Sequence, residues 1–450
     1  MAGRIHRLVC AASPVVDKKP IISRICLKIP ARLWKDAALP MNDTAPPQLS
    51  RTLGPLTVTF YGLGTIVGAG IYVLLGSVAG LAGGFLPYSF LIAGLIAGLT
   101  AMSYAELSAR LPECAGAAVY IEAAWHHPKL SATIGWLLVL TGIVSASAIA
   151  NGFVGYLNEF ITVNRVVAIS SLILILGIIA TLNMQASAIL VFAVTLLEVF
   201  GLVLVVFYAW TAEPTAALPM AETQPIDSTV VFGVMLGSFV AFYAFIGFED
   251  MVNIVEEVKN PRQNLPIAIL VAVASATVLY MLVAVSALRV LPAELLAASD
   301  APLSALMAAS GGSRRIIAMI SLIAVINGAL VQIIMASRVL YGMATSAMIA
   351  DFFARVNPIT HTPINSTLII IGLILVFALS LPITQLAQLT SFIMLVIFSL
   401  VNLALIQIKR RATIIYGGFE VPLVVPVLGA ASTAILLLFQ TLMSLGVIAA

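Results

Sequence analysis

From residue 53 onward the apolar positions of this chain neither alternate nor form narrow stripes. They come in runs of about twenty residues separated by short polar segments. A helix rising about 1.5 Å per residue needs roughly twenty residues to cross a hydrocarbon layer of about 30 Å, so each run reads as a membrane span. Eleven spans are expected, at residues 56–77, 86–109, 132–156, 166–182, 187–211, 230–255, 265–289, 315–344, 366–381, 385–408 and 421–447. The fourth and ninth are short, and the sixth and eighth turn polar toward one end.

Two of the spans are interrupted. Residues 62–72 read Gly-Leu-Gly-Thr-Ile-Val-Gly-Ala-Gly-Ile-Tyr, and residues 241–249 read Ala-Phe-Tyr-Ala-Phe-Ile-Gly-Phe-Glu. Each interior glycine weakens a helix by about 1 kcal/mol relative to alanine, and backbone groups freed in hydrocarbon must find partners or line a cavity. The Gly64 to Gly68 spacing also suits close packing of a neighbouring helix. A second interruption at the corresponding place of the other chain half points instead to a transporter's binding site.

Spans one to five (53–211) and six to ten (212–408) make two halves, each beginning with an interrupted segment. Five is odd, so the second half enters the membrane from the opposite side, which is the geometry of an inverted repeat. Residues 409–450 then form an accessory helix and residues 1–52 a polar, basic tail, with Met41 the expected start. With the N-terminus inside, inner segments hold eighteen Lys and Arg against four outside, and the bias remains ten to four without the first forty residues. Basic residues favour the cytoplasmic side, so a multi-pass protein of the plasma (inner) membrane with a cytoplasmic N-terminus is expected.

Composition agrees: 61% of residues are hydrophobic and 9% charged, far from the roughly 25% charged of soluble domains. Three cysteines (Cys10, Cys26, Cys114) and four scattered histidines make no metal-ligand spacing. No phosphate-binding GxxxxGK[ST] loop is present, and no nucleophile, base and orienting group cluster. Neither an enzyme, a metal or other cofactor, nor a nucleic-acid partner is expected; the partners are the lipid bilayer and a small substrate.

A helix broken near Gly68 to Gly70 exposes N–H groups at the positive end of the following half-helix, an anion site. An unwound turn around Tyr243, Ala244 and Ile246 frees carbonyl oxygens for a cation. Facing one another, the two would bind a zwitterion, and amino acids are the commonest zwitterionic nutrients.

The stretch 62–72 resembles the first-helix motif of amino acid permeases of the amino acid/polyamine/organocation superfamily. So do Tyr104-Ala-Glu-Leu-Ser-Ala-Arg-Leu-Pro with Gly116 and Tyr120 beyond it, the run 244–249 with Glu256-Glu-Val-Lys-Asn-Pro-Arg after it, Ala336-Ser-Arg-Val-Leu-Tyr, and Thr362-Pro-Ile-Asn. The resemblance covers about residues 53–430 and implies an all-α membrane protein with the five-plus-five inverted-repeat bundle of the bacterial leucine transporter, working by alternating access. It implies a substrate site at the break beginning with Gly68, where amides of Ala69 and Gly70 hold the substrate carboxylate, and carbonyls of Ile66, Tyr243, Ala244 and Ile246 hold its ammonium. Glu249 falls where family members place an acidic gating residue; it also suits an acid that has simply reached the cytoplasmic interface.

Glu198, within the fifth span, stands near a lysine of some similar permeases that is proposed to replace a sodium ion. This departure leaves two readings of Glu198, a proton carrier or a polar contact to a neighbouring helix. Asn327 either faces substrate or bonds a facing helix, and Phe242, Phe245 and Ser145 are candidates for the cavity wall. Arg110, Glu256, Glu257, Lys259 and Arg338 suggest a charge network at the inner face that breaks and reforms, or ordinary basic anchoring. The expected function is secondary active transport of amino acids by proton symport or exchange, with sodium coupling less favoured because the inner half of the eighth span is poor in hydroxyls. An amine or polyamine permease and a non-transporting amino acid sensor are the alternatives.

Overall fold

Inside hydrocarbon a backbone has no water to bond, and a helix satisfies its N–H and C=O groups within one segment. The structure, a computed structural model, describes residues 51–68, 70–112, 116–182, 188–214, 227–345, 349–357, 360, 362–411 and 418–447. Among these residues the regular elements are helical, apart from one isolated β-bridge. Residues 1–50 of the basic tail, Met41 among them, together with Ala69 and all three cysteines lie outside the described residues, as does the side chain of Glu256.

The helices are Pro55–Val67 (α1), Gly70–Ala82 (α2), Leu86–Arg110 (α3), Gly116–Trp125 (α4), Pro128–Leu157 (α5), Arg165–Thr181 (α6), Ala188–Thr211 (α7) and Ser228–Ala241 (α8). After them come Pro261–Val290 (α9), Ala293–Ala297 (α10), Pro302–Ala309 (α11), Arg314–Thr345 (α12), Ile364–Ser380 (α13), Ile383–Arg411 (α14) and Val424–Ser444 (α15). Local signals set their starts. Proline stands at the first or second position of α1, α3, α5, α9 and α11, where its missing N–H costs nothing. Asn164 and Asp227 cap α6 and α8, each side chain accepting a 2.9 Å bond from a first-turn N–H.

Among the described residues, eight helical stretches are long and apolar enough to cross a membrane, and α1, α6 and α13 are shorter apolar helices. At seventeen residues each, α6 and α13 reach about 25 Å, which is why those two spans look short in sequence. Leu174, Ile175 and Ile178 of α6, Val203 and Phe207 of α7, and Ile435 and Leu438 of α15 are exposed. Apolar side chains displayed on outward helix faces belong against lipid, and the chain is a multi-pass membrane protein of all-α class.

Three short helices have no counterpart among the expected spans. α4, α10 and α11 are ten, five and eight residues long, too short to register as membrane-length runs. α10 lies across α2 so closely that a Cβ on Gly76 would sit 2.5 Å from the Leu296 carbonyl oxygen.

The interior is built by helix pairs. α9 packs on α3 and α1, α12 on α5, α14 on α5 and α15, and α8 on α2 and α3. One buried acid ties three of these segments together. Glu106 of α3 is fully buried and accepts from Lys409 Nζ at 2.7 and 2.8 Å, from Arg110 Nε at 2.8 Å and from the Val421 N–H at 2.8 Å. Arg110 also reaches Glu420 at 3.0 Å. A buried charge is tolerated when paired and hydrogen-bonded, and Glu106 meets both conditions. The sequence points to Arg110 but not to Glu106 as the centre of an ion-pair network at this face.

Ahead of α1, the Leu53 N–H donates to the Glu257 carbonyl at 3.0 Å and the Lys259 N–H to the Leu53 carbonyl at 2.9 Å. That single bridge joins the start of the first interrupted span to the end of the second.

Candidate functional site

Both interruptions are present and they meet. α1 stops at Val67, and the Gly68 N–H turns back to the Gly64 carbonyl at 3.0 Å. α8 stops at Ala241 and gives way to a 3₁₀ turn over Phe242–Phe245, extended backbone at Ile246, and a second 3₁₀ stretch over Phe248–Glu257. The hinge between them is Gly247, whose φ of 133° lies where side chains are rarely tolerated. Close approach also demands glycine at the crossing. A Cβ on Gly70 would lie 2.4 Å from Ala244 Cα, and one on Gly247 would lie 2.4 Å from the Thr65 carbonyl oxygen. The packing reading of Gly64 holds as well, because a Cβ there would meet Thr195 Oγ1 of α7 at 2.0 Å.

Two hydroxyls stitch the breaks together. The Thr65 hydroxyl lies 2.9 Å from the Gly62 carbonyl and 3.0 Å from that of Gly247. From α9, the Tyr280 hydroxyl lies 2.9 Å from both the Ile66 and the Ala244 carbonyl oxygens. Those are two of the four carbonyls assigned to the substrate ammonium by the resemblance. Each oxygen has two lone pairs, so one remains on each, but Tyr280 already holds both strands. Tyr243 and Ile246 line the cavity beside them.

That cavity lies where α1, α2, α5, the α8 break and α12 come together, with an open volume of about 50 Å³. It has room for a few waters, so a substrate the size of leucine requires the lining side chains to move. Of the residues expected from sequence, Ile66, Gly70, Ser145, Tyr243, Ile246 and Asn327 line it. Ser145 Oγ and the Tyr243 hydroxyl are 2.9 Å apart and close one wall.

Other expected residues stand elsewhere. Phe242 and Phe245 do not line the cavity: Phe242 packs edge-on against Phe398 and Phe245 against Tyr280, with ring centroids 5.8 and 5.1 Å apart. Aromatic packing between helices accounts for both. Glu249 is turned back on its own segment, its Oε2 accepting the Gly247 N–H at 2.9 Å. It therefore braces the hinge, and its neighbour Asp250 lines the cavity instead. A 3₁₀ turn advances about 120° per residue, and that rotation, invisible in the sequence, decides which of two adjacent acids faces inward.

Glu198 of α7 is fully buried behind the cavity wall. Its Oε1 is 3.4 Å from Asn327 Nδ2, a long contact, and its Oε2 has no partner among the described residues. The Tyr72 hydroxyl donates to its backbone carbonyl, and the Tyr156 hydroxyl to that of Tyr72. Sequence reasoning also passed over Tyr61, Thr65, Asp250 and Gln332. Only the pairing of two acids at 249 and 250 in an otherwise apolar run carried a signal for any of them.

Fold and site together define a polytopic helical membrane protein with a cavity at two interrupted helices. Residues 53–449 match the family model described as amino acid permease. The chain belongs to the amino acid permease family. It is similar to a vacuolar cationic amino acid transporter 4 of Arabidopsis thaliana, at 29% identity over 82% of this chain and 65% of that protein. A branched-chain amino acid permease of Bacillus subtilis is 28% identical over 83% of this chain and 84% of its own length. A methylthioribose transporter of the same organism is 27% identical over 87% and 88%. The chain thus spans just under two thirds of the plant transporter and most of the bacterial proteins.

Proposed function

We propose that this protein is a secondary active amino acid transporter working by alternating access. The observation that carries the proposal is the crossing of the two broken helices at the cavity. The first N–H groups of α2, starting at Gly70, have no intrahelical partner and sit at the positive end of its dipole, which suits a carboxylate. The Tyr243 and Ile246 carbonyls across the cavity suit an ammonium. Residues 53–211 and 212–408 are the two inverted halves, 409–450 the accessory segment, and the N-terminus is cytoplasmic in the plasma (inner) membrane.

Glu198 is the coupling residue. It takes up and releases a proton while Asn327, facing both the carboxyl and the cavity, ties its charge state to the site, and its oxygen without a partner among the described residues is the reason for choosing it over Glu249. The role of Glu249 is to hold the Gly247 hinge as the α8 break flexes. Sodium is not the driving ion in this reading.

The test is uptake of a labelled amino acid panel into proteoliposomes under an imposed pH gradient, an imposed sodium gradient, or with unlabelled amino acid inside. Saturable uptake that follows the pH gradient and is accelerated by internal substrate is expected. In Glu198→Gln, exchange should persist while the response to the pH gradient disappears. A protein that binds amino acids but moves none under any gradient is a sensor, and the transport reading fails.

A further inference from the structure

Where α1 and α9 begin and α3 ends, at one end of the bundle, lies an open cleft of about 510 Å³. Its described lining is Arg51 ahead of α1, Pro112 just past α3, and residues 260–263 at the start of α9. The bridge between Leu53 and Val258 ties the lead-in of α1 to that of α9. Arg51 and Arg262 are both exposed, and neither guanidinium has a hydrogen-bond or ion-pair partner among the described residues. No carboxylate is among the described lining residues. The main chain adds little, because Pro261 has no N–H and those of Gln263 and Asn264 return to the Asn260 carbonyl at 3.0 Å. The charge of the cleft therefore rests on two guanidinium groups, whose planar forks match the oxygens of a phosphate.

The cleft opens onto the lipid-facing surface. Gln263, itself exposed, heads a row along one face of α9 in which Ile267 is 56% and Val271 45% exposed, and Val278 and Leu282 continue it. At about 1.5 Å per residue, Ile267 and Val271 stand roughly 6 and 12 Å below Gln263, where acyl chains begin beneath a headgroup. Leu56, in the first turn of α1, is exposed as well. A soluble anion would use the arginines and leave the apolar row idle; a phospholipid uses both. A zwitterionic headgroup brings an ammonium for which the cleft offers no acid. We infer that this cleft binds the headgroup phosphate of an anionic phospholipid, with an acyl chain laid along Ile267 and Val271. Basic pockets between membrane helices are suited to such headgroups. The site is separate from the cavity at the broken helices and depends on neither the substrate nor the coupling ion.

The test is lipid binding to the purified full chain in detergent, read by native mass spectrometry with phosphatidylglycerol and phosphatidylcholine of identical acyl chains. Phosphatidylglycerol should bind at least about tenfold better at low ionic strength, and the preference should shrink as salt screens the arginines. Arg51→Gln combined with Arg262→Gln should bring the preference to about one. Lys129→Gln combined with Arg355→Gln removes the same charge from exposed positions outside the cleft and should leave the preference unchanged. Size-exclusion behaviour shows whether each variant is folded. If the cleft double variant does not fold, Arg262→Lys decides, since it keeps the charge, loses the fork and should lower the preference by about threefold.

No preference in the parent, or a preference unchanged by the cleft substitutions, overturns the site. Equal loss in the two double variants overturns it too, because the preference then belongs to the charge of the whole face. Displacement of the lipid by glycerol phosphate at equal concentration overturns the lipid assignment and makes a soluble phosphate ester the occupant.

Discussion

Removing one oxygen atom from either of two buried tyrosines should have opposite consequences. The Tyr280 hydroxyl sits 2.9 Å from the carbonyls of Ile66 and Ala244, one from each broken helix. It owns a single proton, so the two contacts together are worth about one shared bond. Tyr280→Phe leaves ring packing unchanged and strands buried acceptors, at a cost of about 1–3 kcal/mol. For a chain of this size that is a fall in Tm of roughly 2 to 6 °C, at about 2 °C per kcal/mol. The Tyr104 hydroxyl is equally buried but has no partner among the described residues, while its ring packs edge-on against Phe248 and Phe398 at 5.5 and 5.6 Å. Tyr104→Phe removes an unsatisfied polar atom and should be neutral or raise Tm by up to about 3 °C. Thermal unfolding of purified protein in detergent, followed by intrinsic fluorescence or light scattering, reads both variants under one condition. Substrate affinity gives a second readout: it should change in Tyr280→Phe, where two carbonyls at the cavity lose their restraint, and stay constant in Tyr104→Phe. Equal effects of the two substitutions would refute the reasoning, because burial and ring loss would then explain everything and the bridging bond nothing.

Gly247→Ala should abolish correct folding or transport, since the new Cβ would lie 2.4 Å from the Thr65 carbonyl oxygen at a φ of 133°; a variant with parental size-exclusion behaviour and uptake contradicts that. Glu106→Gln leaves Lys409 facing a neutral amide in a buried setting, and removing one partner of such a pair costs about 3–5 kcal/mol. The expected loss is nearer the lower figure, because the Lys409 side chain is 15% exposed and keeps its 2.7 Å bond to the Val421 carbonyl. Adding Lys409→Met should recover at least about half of that loss, and a double-mutant cycle without coupling means the pair contributes nothing.

Much of the architecture is legible in the chain because membrane length is a one-dimensional constraint. The apolar runs at 86–109, 265–289 and 315–344 appear as α3, α9 and α12 with ends within a few residues. The interruptions too are visible, since glycine weakens helices wherever the chain goes. Legibility fails for α4, α10 and α11, whose few turns gain their stability from contacts with distant helices. It also fails for Glu106, because nothing local distinguishes a carboxylate that meets Lys409 across 303 positions of sequence from one facing water.

At the site the division is sharper. Backbone properties were carried by the sequence: Gly70 and Gly247 break helices because of what glycine is, and the break marks the cavity before any neighbour is known. Side-chain direction was not. Whether Glu249 or Asp250 faces the cavity depends on a 3₁₀ twist, whether Phe242 and Phe245 touch substrate depends on where Phe398 and Tyr280 stand, and whether the Ile66 and Ala244 carbonyls are free depends on one hydroxyl from α9. Local conformational preference belongs to a residue and its immediate neighbours. Which polar atoms pair belongs to positions hundreds of residues apart, and only the packed fold brings them within hydrogen-bond reach.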